Sequence, residues 1–283
     1  MAAGPGAPDW TRGFFTTQPD GSFAGTFTDI DGAVDNVSGI RFTVAPDGTI
    51  TCDPCGPAFQ GALGAGRTVS VWTDTWDDGT VELMVAVRQA SSYAQSDLTG
   101  DWQMQQIGAP PPRWTRGSAT IASDGALTGN MTDSDGNNFP VSGVTLTLGS
   151  NGIASCTGCG PNFEGILDSD KTAGFMTDGS RTTDQTLGAL LRPASSYSQA
   201  DLTGNWLVHA LSVNSSSLWL RGLVTIAADG ALSGTLDASD GIPHVTVGKL
   251  LVAPDGTITH DTAPDMRCAL DAGKTVMVCT NTE

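Results

Sequence analysis

Between Arg41 and Thr51 the chain reads RFTVAPDGTIT, with apolar side chains at every second position on both sides of an Asp-Gly turn. The stretch VTLTLGS from Val144 repeats that alternation. A period of two places Phe42, Val44 and Ile50 on one face, as half-buried antiparallel strands require. Between residues 94 and 197 the pattern predicts eight short strands, at about 101–108, 114–122, 126–132, 139–148, 152–156, 162–167, 171–177 and 185–192. Turn phrases separate them: SDG at Ser123, DSDG at Asp133, SNG at Ser150 and TDG at Thr177. No segment sustains a helical period.

The pattern recurs along the chain. ASSYAQSDLTGDW (Ala90–Trp102) returns as ASSYSQADLTGNW (Ala194–Trp206), 104 residues on. WTRG stands at Trp10 and Trp114, and WLRG at Trp219. GRTVSVWTDT from Gly66 answers to DKTAGFMTDG from Asp170 and GKTVMVCTNT from Gly273. This common register predicts three copies, at 1–93, 94–197 and 198–283, the first lacking its first strand and the third its last. Eight strands in about 100 residues suit a small closed barrel, so the expectation is an all-β chain of tandem antiparallel barrels. A β-propeller with two four-stranded blades per copy is the alternative. Incomplete end copies also imply open sheet edges, and with them head-to-tail self-association.

The Gly-x-Trp at Gly100–Trp102 and Gly204–Trp206 resembles the opening of the lipocalin and wider calycin barrels. That resemblance implies a Trp at the barrel floor beneath an Arg of the last strand, here Arg192 over Trp102. A circularly permuted unit would pair Trp102 with Arg88 and Trp206 with Arg192 instead. It also implies a small hydrophobic ligand. The DLTGxW, WxRG and DSDG phrases together are similar to those of bacterial secreted tandem-repeat proteins.

Charge narrows the partners. The net charge is −17, and only 3 of the 30 acidic residues are Glu. The charge is spread as −7 over residues 1–93 (4 basic, 11 acidic), −5 over 94–197 (5 and 10) and −5 over 198–283 (4 and 9). An even negative field repels phosphate backbones, which argues against nucleic acid. No apolar run approaches the ~20 residues of a membrane helix, so no membrane insertion is expected. The opening MAAGPGAPDW has neither the basic region nor the apolar run of a signal peptide, although the composition is that of a secreted or cell-surface protein with leader and flanking sequence removed.

Four constellations carry candidate chemistry. Cys52-x-x-Cys55 and Cys156-x-x-Cys159 read as local disulfides, with a four-thiolate zinc site and a redox pair as the other options. Cys268 and Cys279 replace Gly61 and Trp72 on neighbouring strands and predict a cross-strand disulfide. His209, His244 and His260, all in the third copy, could hold zinc for hydrolysis, with Asp261 or Asp265 as base or further ligand. The DxDG loops bring Asp29 and Asp31, Asp133 and Asp135, and Asp237 and Asp240 together as oxygen donors for calcium, or as plain turns. In a strand, residues two apart share a face, so Trp10 with Arg12, Trp114 with Arg116 and Trp219 with Arg221 could form stacking platforms for sugar rings, or Arg-covered structural Trp. Tyr93 and Tyr197 are expected to pack between copies.

There is no G-x-S-x-G elbow, phosphate loop or H-E-x-x-H. The expectation is a non-catalytic secreted or surface protein that requires no cofactor and binds a small hydrophobic or glycan ligand, or acts as a spacer. A metal-dependent hydrolase in the third copy is the alternative.

Overall fold

The computed structural model describes residues 1–3, 9–109, 113–160, 162–179, 185–212 and 217–282. All the regular structure is β apart from two single 3-10 turns, at Gln95–Asp97 and Gln199–Asp201.

The second segment is a closed barrel. Its strands are β9 (Gly100–Ala109), β10 (Arg113–Ile121), β11 (Ala126–Asp133), β12 (Asn138–Leu148), β13 (Ile153–Thr157), β14 (Glu164–Leu167), β15 (Ala173–Asp178) and β16 (Gln185–Leu191). They follow one another as an antiparallel meander, and β16 closes on β9 in the register Gln185↔Ala109 to Leu191↔Gln103. That closure excludes the propeller for this segment and the permuted unit with it. Trp102, Met104, Leu127, Met131, Leu146 and Leu190 fill the interior.

Asp-Gly turns make the meander. In the β10–β11 turn Gly125 takes φ +86°, a left-handed conformation open to glycine, while Asp124 Oδ1 accepts the N–H of Ala126 at 3.0 Å. Asp20, Asp47, Asp78, Asp229 and Asp255 cap their own turns in the same way. In three of these turns the N–H donated by the residue two on (Ser22, Thr49 or Thr80) draws the Asp pKa below its ordinary value. Much of the chain's acidity is thus turn chemistry.

The first segment is a curled open sheet. In sequence its strands are β1 (Ala2–Ala3), β2 (Thr11–Thr17), β3 (Ser22–Asp29), β4 (Val34–Val44), β5 (Thr49–Asp53), β6 (Gln60–Leu63), β7 (Val69–Thr75) and β8 (Val81–Val87), with β1 on the outer edge of β8. Ala2 and Ala3 pair with Glu82 and Val81, the places Gly108 and Ala109 take opposite Thr186 and Gln185 in the barrel. Past Leu83, whose N–H and C=O both bond Met1, no described strand pairs the outer edge of β8.

The third segment forms two four-stranded sheets around one core. One holds β17 (Gly204–Ser212), β18 (Leu218–Ile226), β19 (Leu232–Ala238) and β20 (His244–Val245). The other holds β21 (Leu250–Val252), β22 (Thr257–His260), β23 (Arg267–Leu270) and β24 (Met277–Thr280). The eleven-residue β12 that joins the two halves of the barrel is here broken into β20 and β21, with Gly248 at φ +85° between them.

Tyr93 and Tyr197 end the first and second copies and each reaches into the copy that follows. Each plugs the sheet that follows it: Tyr93 lies in the barrel core and Tyr197 in the third core. Tyr93 donates to Leu167 O and accepts from Ala90 N, both at 2.8 Å, and Tyr197 makes the same pair with Leu270 O and Ala194 N. Lys171 and Lys274, at left-handed φ of 61° and 58°, bond Asp97 and Asp201 and so tie each 3-10 turn to its sheet.

One further core belongs to all three segments. Val69, Val85 and Val87 of the first, Ala173, Phe175 and Leu191 of the second, and Ala269, Val276 and Val278 of the third pack together. These are outward-facing positions, so the last strands of each segment are apolar on both faces.

Candidate functional site

The principal site candidate is in the first segment. Phe15, Phe23, Phe27, Phe42, Phe59 and Trp72 form a continuous ring-to-ring cluster, with centroids 4.6–6.4 Å apart. Beside it lies a cavity of about 980 Å³. Phe15, Phe27, Phe42, Ile50, Trp72 and Met84 give it an apolar lining, and Arg12, Arg67 and Arg88 stand at its polar margin with Asp20 and Glu164. Its far wall is the outer face of the barrel, through Ile166, Phe175 and Leu187. The space exists because β8 and β2 are not joined, whereas the equivalent seam in the barrel is filled by β9.

That comparison also explains Arg88. In the barrel, Arg192 lies 4.3 Å over the Trp102 ring and donates to the carbonyls of Asp97, Thr99 and Lys171. This is the Trp102–Arg192 pair that the calycin resemblance implies. Arg88, 104 residues earlier, has no such Trp beneath it among the described residues, and it faces the cavity.

The Trp–Arg pairs lie between segments. Each Arg covers its own Trp, at 3.8 Å for Arg12 on Trp10, 3.6 Å for Arg116 on Trp114 and 4.0 Å for Arg221 on Trp219. Each then donates to a carbonyl of the next segment in a cyclic order: Arg12 to Asn162 (2.8 Å), Arg116 to Asp265 (2.7 Å) and Arg221 to Ala58 (2.5 Å). Trp114 and Trp219 donate Nε1–H to Thr282 and Thr75, at 2.6 and 2.7 Å. Gly179 holds the position in the sequence register that matches Thr75 and Thr282, and the buried Nε1 of Trp10 has no partner among the described residues. With the three Trp only 3%, 6% and 6% exposed, no open face is left for a sugar ring. Burial lowers the pKa of all three Arg, that of Arg116 to about 10.

The histidines do not converge. His209 is half-buried at the contact with the first segment, where Nδ1 lies 3.2 Å from Thr73 Oγ1, and desolvation, helped by the charge of Arg221, pushes its pKa down to about 4. His244 is exposed on β20. His260 bonds Val247 O and the N–H groups of Thr262 and Ala263. Among the described residues no three His, Cys, Asp or Glu side chains gather as a metal site. Asp261 Oδ1 accepts the N–H of Lys249 and lies 3.8 Å from His260 Nδ1, and the backbone carbonyl of Asp265 accepts from Arg116.

The DxDG loops are self-capped turns. Asp29 Oδ1 accepts from Asp31 N and Ala33 N, and Asp133 Oδ1 from Asp135 N and Asn137 N. Asp240 accepts from Ile242 N, while Asp237 stands across the strand from Arg221. Cys52–Cys55, Cys156–Cys159 and Cys268–Cys279 are disulfides, which removes the thiolate-zinc and free-thiol options.

The cavity was missed in the sequence, although a signal was there. Six of the nine Phe fall in residues 1–93 and none in 198–283. An aromatic excess in one copy marks an interior unlike the others.

No family model matches the chain. No curated protein matches it either. Among solved structures it is similar to the periplasmic gluconolactonase PpgL of Pseudomonas aeruginosa, at 10% identity over 96% of this chain and 95% of that one, with a TM-score of 0.14. A likeness at that level carries no argument about fold or activity.

Proposed function

We propose that the protein is a non-catalytic secreted or cell-surface module whose first segment binds a small hydrophobic ligand. The observation that carries this is the cavity of about 980 Å³ lined by Phe15, Phe27, Phe42, Ile50, Trp72 and Met84. Its size, apolar lining and few polar groups at the margin are those of a ligand site. Three disulfides support an oxidising compartment. Among the described residues, no helix is long and apolar enough to cross a membrane. The spacer reading has its own support in the side-chain-filled barrel of the second segment and the interlocked Trp–Arg contacts.

The test is titration with a neutral naphthylamine dye, reading dye emission and energy transfer from tryptophan. The expected result is saturable binding near one dye per chain, abolished by Ala86→Trp, which places a large ring in the cavity without removing any aromatic wall. Absence of saturable binding, or binding untouched by Ala86→Trp, would overturn the ligand reading and leave the spacer.

A further inference from the structure

Independently of the apolar cavity, we propose that the turn at Gly64–Val69 of the first segment binds a small planar oxyanion of formate or bicarbonate size. This turn occurs three times in one register, as LGAGRTV from Leu63, LDSDKTA from Leu167 and LDAGKTV from Leu270. It joins β6 to β7, β14 to β15 and β23 to β24. Its backbone is the same in all three. Gly64, Asp168 and Asp271 donate N–H to the carbonyls of Val69, Ala173 and Val276 at 2.9–3.0 Å, and their own carbonyls accept from Arg67, Lys171 and Lys274 at 2.8–3.1 Å. Those three cations take left-handed φ of 57°, 61° and 58°. The side chain at the first position differs: two copies place a carboxylate there, and the first copy has only hydrogen.

The two carboxylates show what such a turn holds. Asp168 is fully buried, and its Oδ1 accepts the N–H groups of Thr172 and Ala173 at 2.9 and 3.1 Å. Asp271 Oδ1 accepts from Thr275 N and Val276 N, both at 2.8 Å. Its Oδ2 accepts from Gly273 N at 3.0 Å and from the Thr172 hydroxyl of the second segment at 3.1 Å. In the first segment the matching donors are the N–H groups of Gly66, Thr68 and Val69, and the hydroxyl next in cyclic order is that of Thr275. Thr275 Oγ1 stands 3.2 Å from where a Cβ on Gly66 would lie. With Gly64 in place no carboxylate meets these donors, although Thr68 and Val69 are only 8% and 7% exposed. Nor have neighbours closed over the place: a Cβ on Gly64 would meet nothing nearer than Val69 O at 3.3 Å and Thr275 O at 3.7 Å. Ala65 and Gly66 are exposed and open it to solvent.

Four convergent donors match the four acceptor positions of a carboxylate, whereas a water molecule offers two. Backbone N–H groups set around a concavity select an anion. Gly64 also limits its size. The carboxylate carbon of Asp168 is tethered to the turn through Cβ, whereas a free ligand stands off by a van der Waals distance, and any substituent on its carbon would point into the Gly64 backbone.

The test is amide proton–nitrogen NMR of the full chain, titrated with sodium formate and, separately, with sodium chloride at equal ionic strength. The Gly66, Thr68 and Val69 amides are expected to shift saturably with formate, with one dissociation constant, and to stay in place with chloride. Acetate, whose methyl meets the Gly64 backbone, is expected to bind at least ~5-fold more weakly. Gly64→Asp is expected to move the same amides without any ligand and to abolish the response to formate. Thr275→Val keeps every N–H donor and is expected to weaken formate binding about 5-fold. The proposal is overturned if formate moves none of these amides saturably, if chloride moves them as far, or if the response survives in Gly64→Asp or is unchanged in Thr275→Val.

Discussion

Replacing Thr75 by Val removes the hydroxyl that accepts from Trp219 Nε1–H at 2.7 Å, while keeping the shape of the side chain. Trp219 is 6% exposed and packs with Ala3 and Val81, so its N–H has no ready route to water. A buried donor stripped of its acceptor costs roughly 1–3 kcal/mol, and the gained methyl returns a fraction of that. The net expectation is a loss of about 1–2 kcal/mol, or about 2–4 °C in the main thermal transition of a chain of this size. The assay is calorimetry on the wild type, Thr75→Val, Trp219→Phe and the double variant. Once Trp219 is Phe no N–H remains, so Thr75→Val is expected to cost near nothing in that background. A loss under about 0.5 kcal/mol in the wild-type background, or equal losses in both, would refute the reasoning. The natural contrast is Trp10, whose N–H has no such partner. Gly179 at the matching position has φ +98°, where a β-branched residue is strained, so Gly179→Thr is expected to destabilise even though it offers a hydroxyl.

Other outcomes follow from the same contacts. His209, held at a pKa of about 4 against an ordinary 6.5, binds a proton more readily unfolded than folded. Its contribution is therefore present above pH 6.5 and lost as pH falls toward 4, by up to about 3 kcal/mol; in His209→Gln the thermal midpoint is expected to depend less on pH across that window. Arg192→Leu strips three carbonyls of their donor and uncovers Trp102, so denaturant titration should show a loss of about 2–4 kcal/mol, whereas Arg88→Leu, with no such partners, should change stability little. Cys268 and Cys279 close a larger loop than either CxxC pair, so the double Ala variant is expected to lose about 2–3 kcal/mol by calorimetry, and more than a Cys52/Cys55 double variant.

The barrel strands were legible because two local signals coincide, period-two apolar positions and Asp-Gly turns whose Asp caps its own backbone. Strand ends in the second segment fall within a residue or two of the pattern for that reason. The shared core was not legible. Val69, Val85 and Val87 are apolar on the outward face, and an alternating pattern reads only which residues share a face, not what covers it. The Trp–Arg pairs were visible as pairs, but the carbonyls of Ala58, Asn162 and Asp265 that receive them carry no side-chain signature. Proximity in sequence register made three histidines of one copy look like a set. The fold sends His209 to the contact with Thr73 and His260 to its own turn, because the side-chain direction of a strand residue is fixed by its pleat.

The most direct test is amide hydrogen exchange read by mass spectrometry, comparing β8 with β16 in the same sample. The seam-facing amides of Met84–Val87 are expected to exchange orders of magnitude faster than those of Gly188–Leu191, which β9 holds in the closed barrel. Equal protection of the two strands would mean that the first segment is closed in solution, and would contradict the open cavity on which its proposed binding role rests.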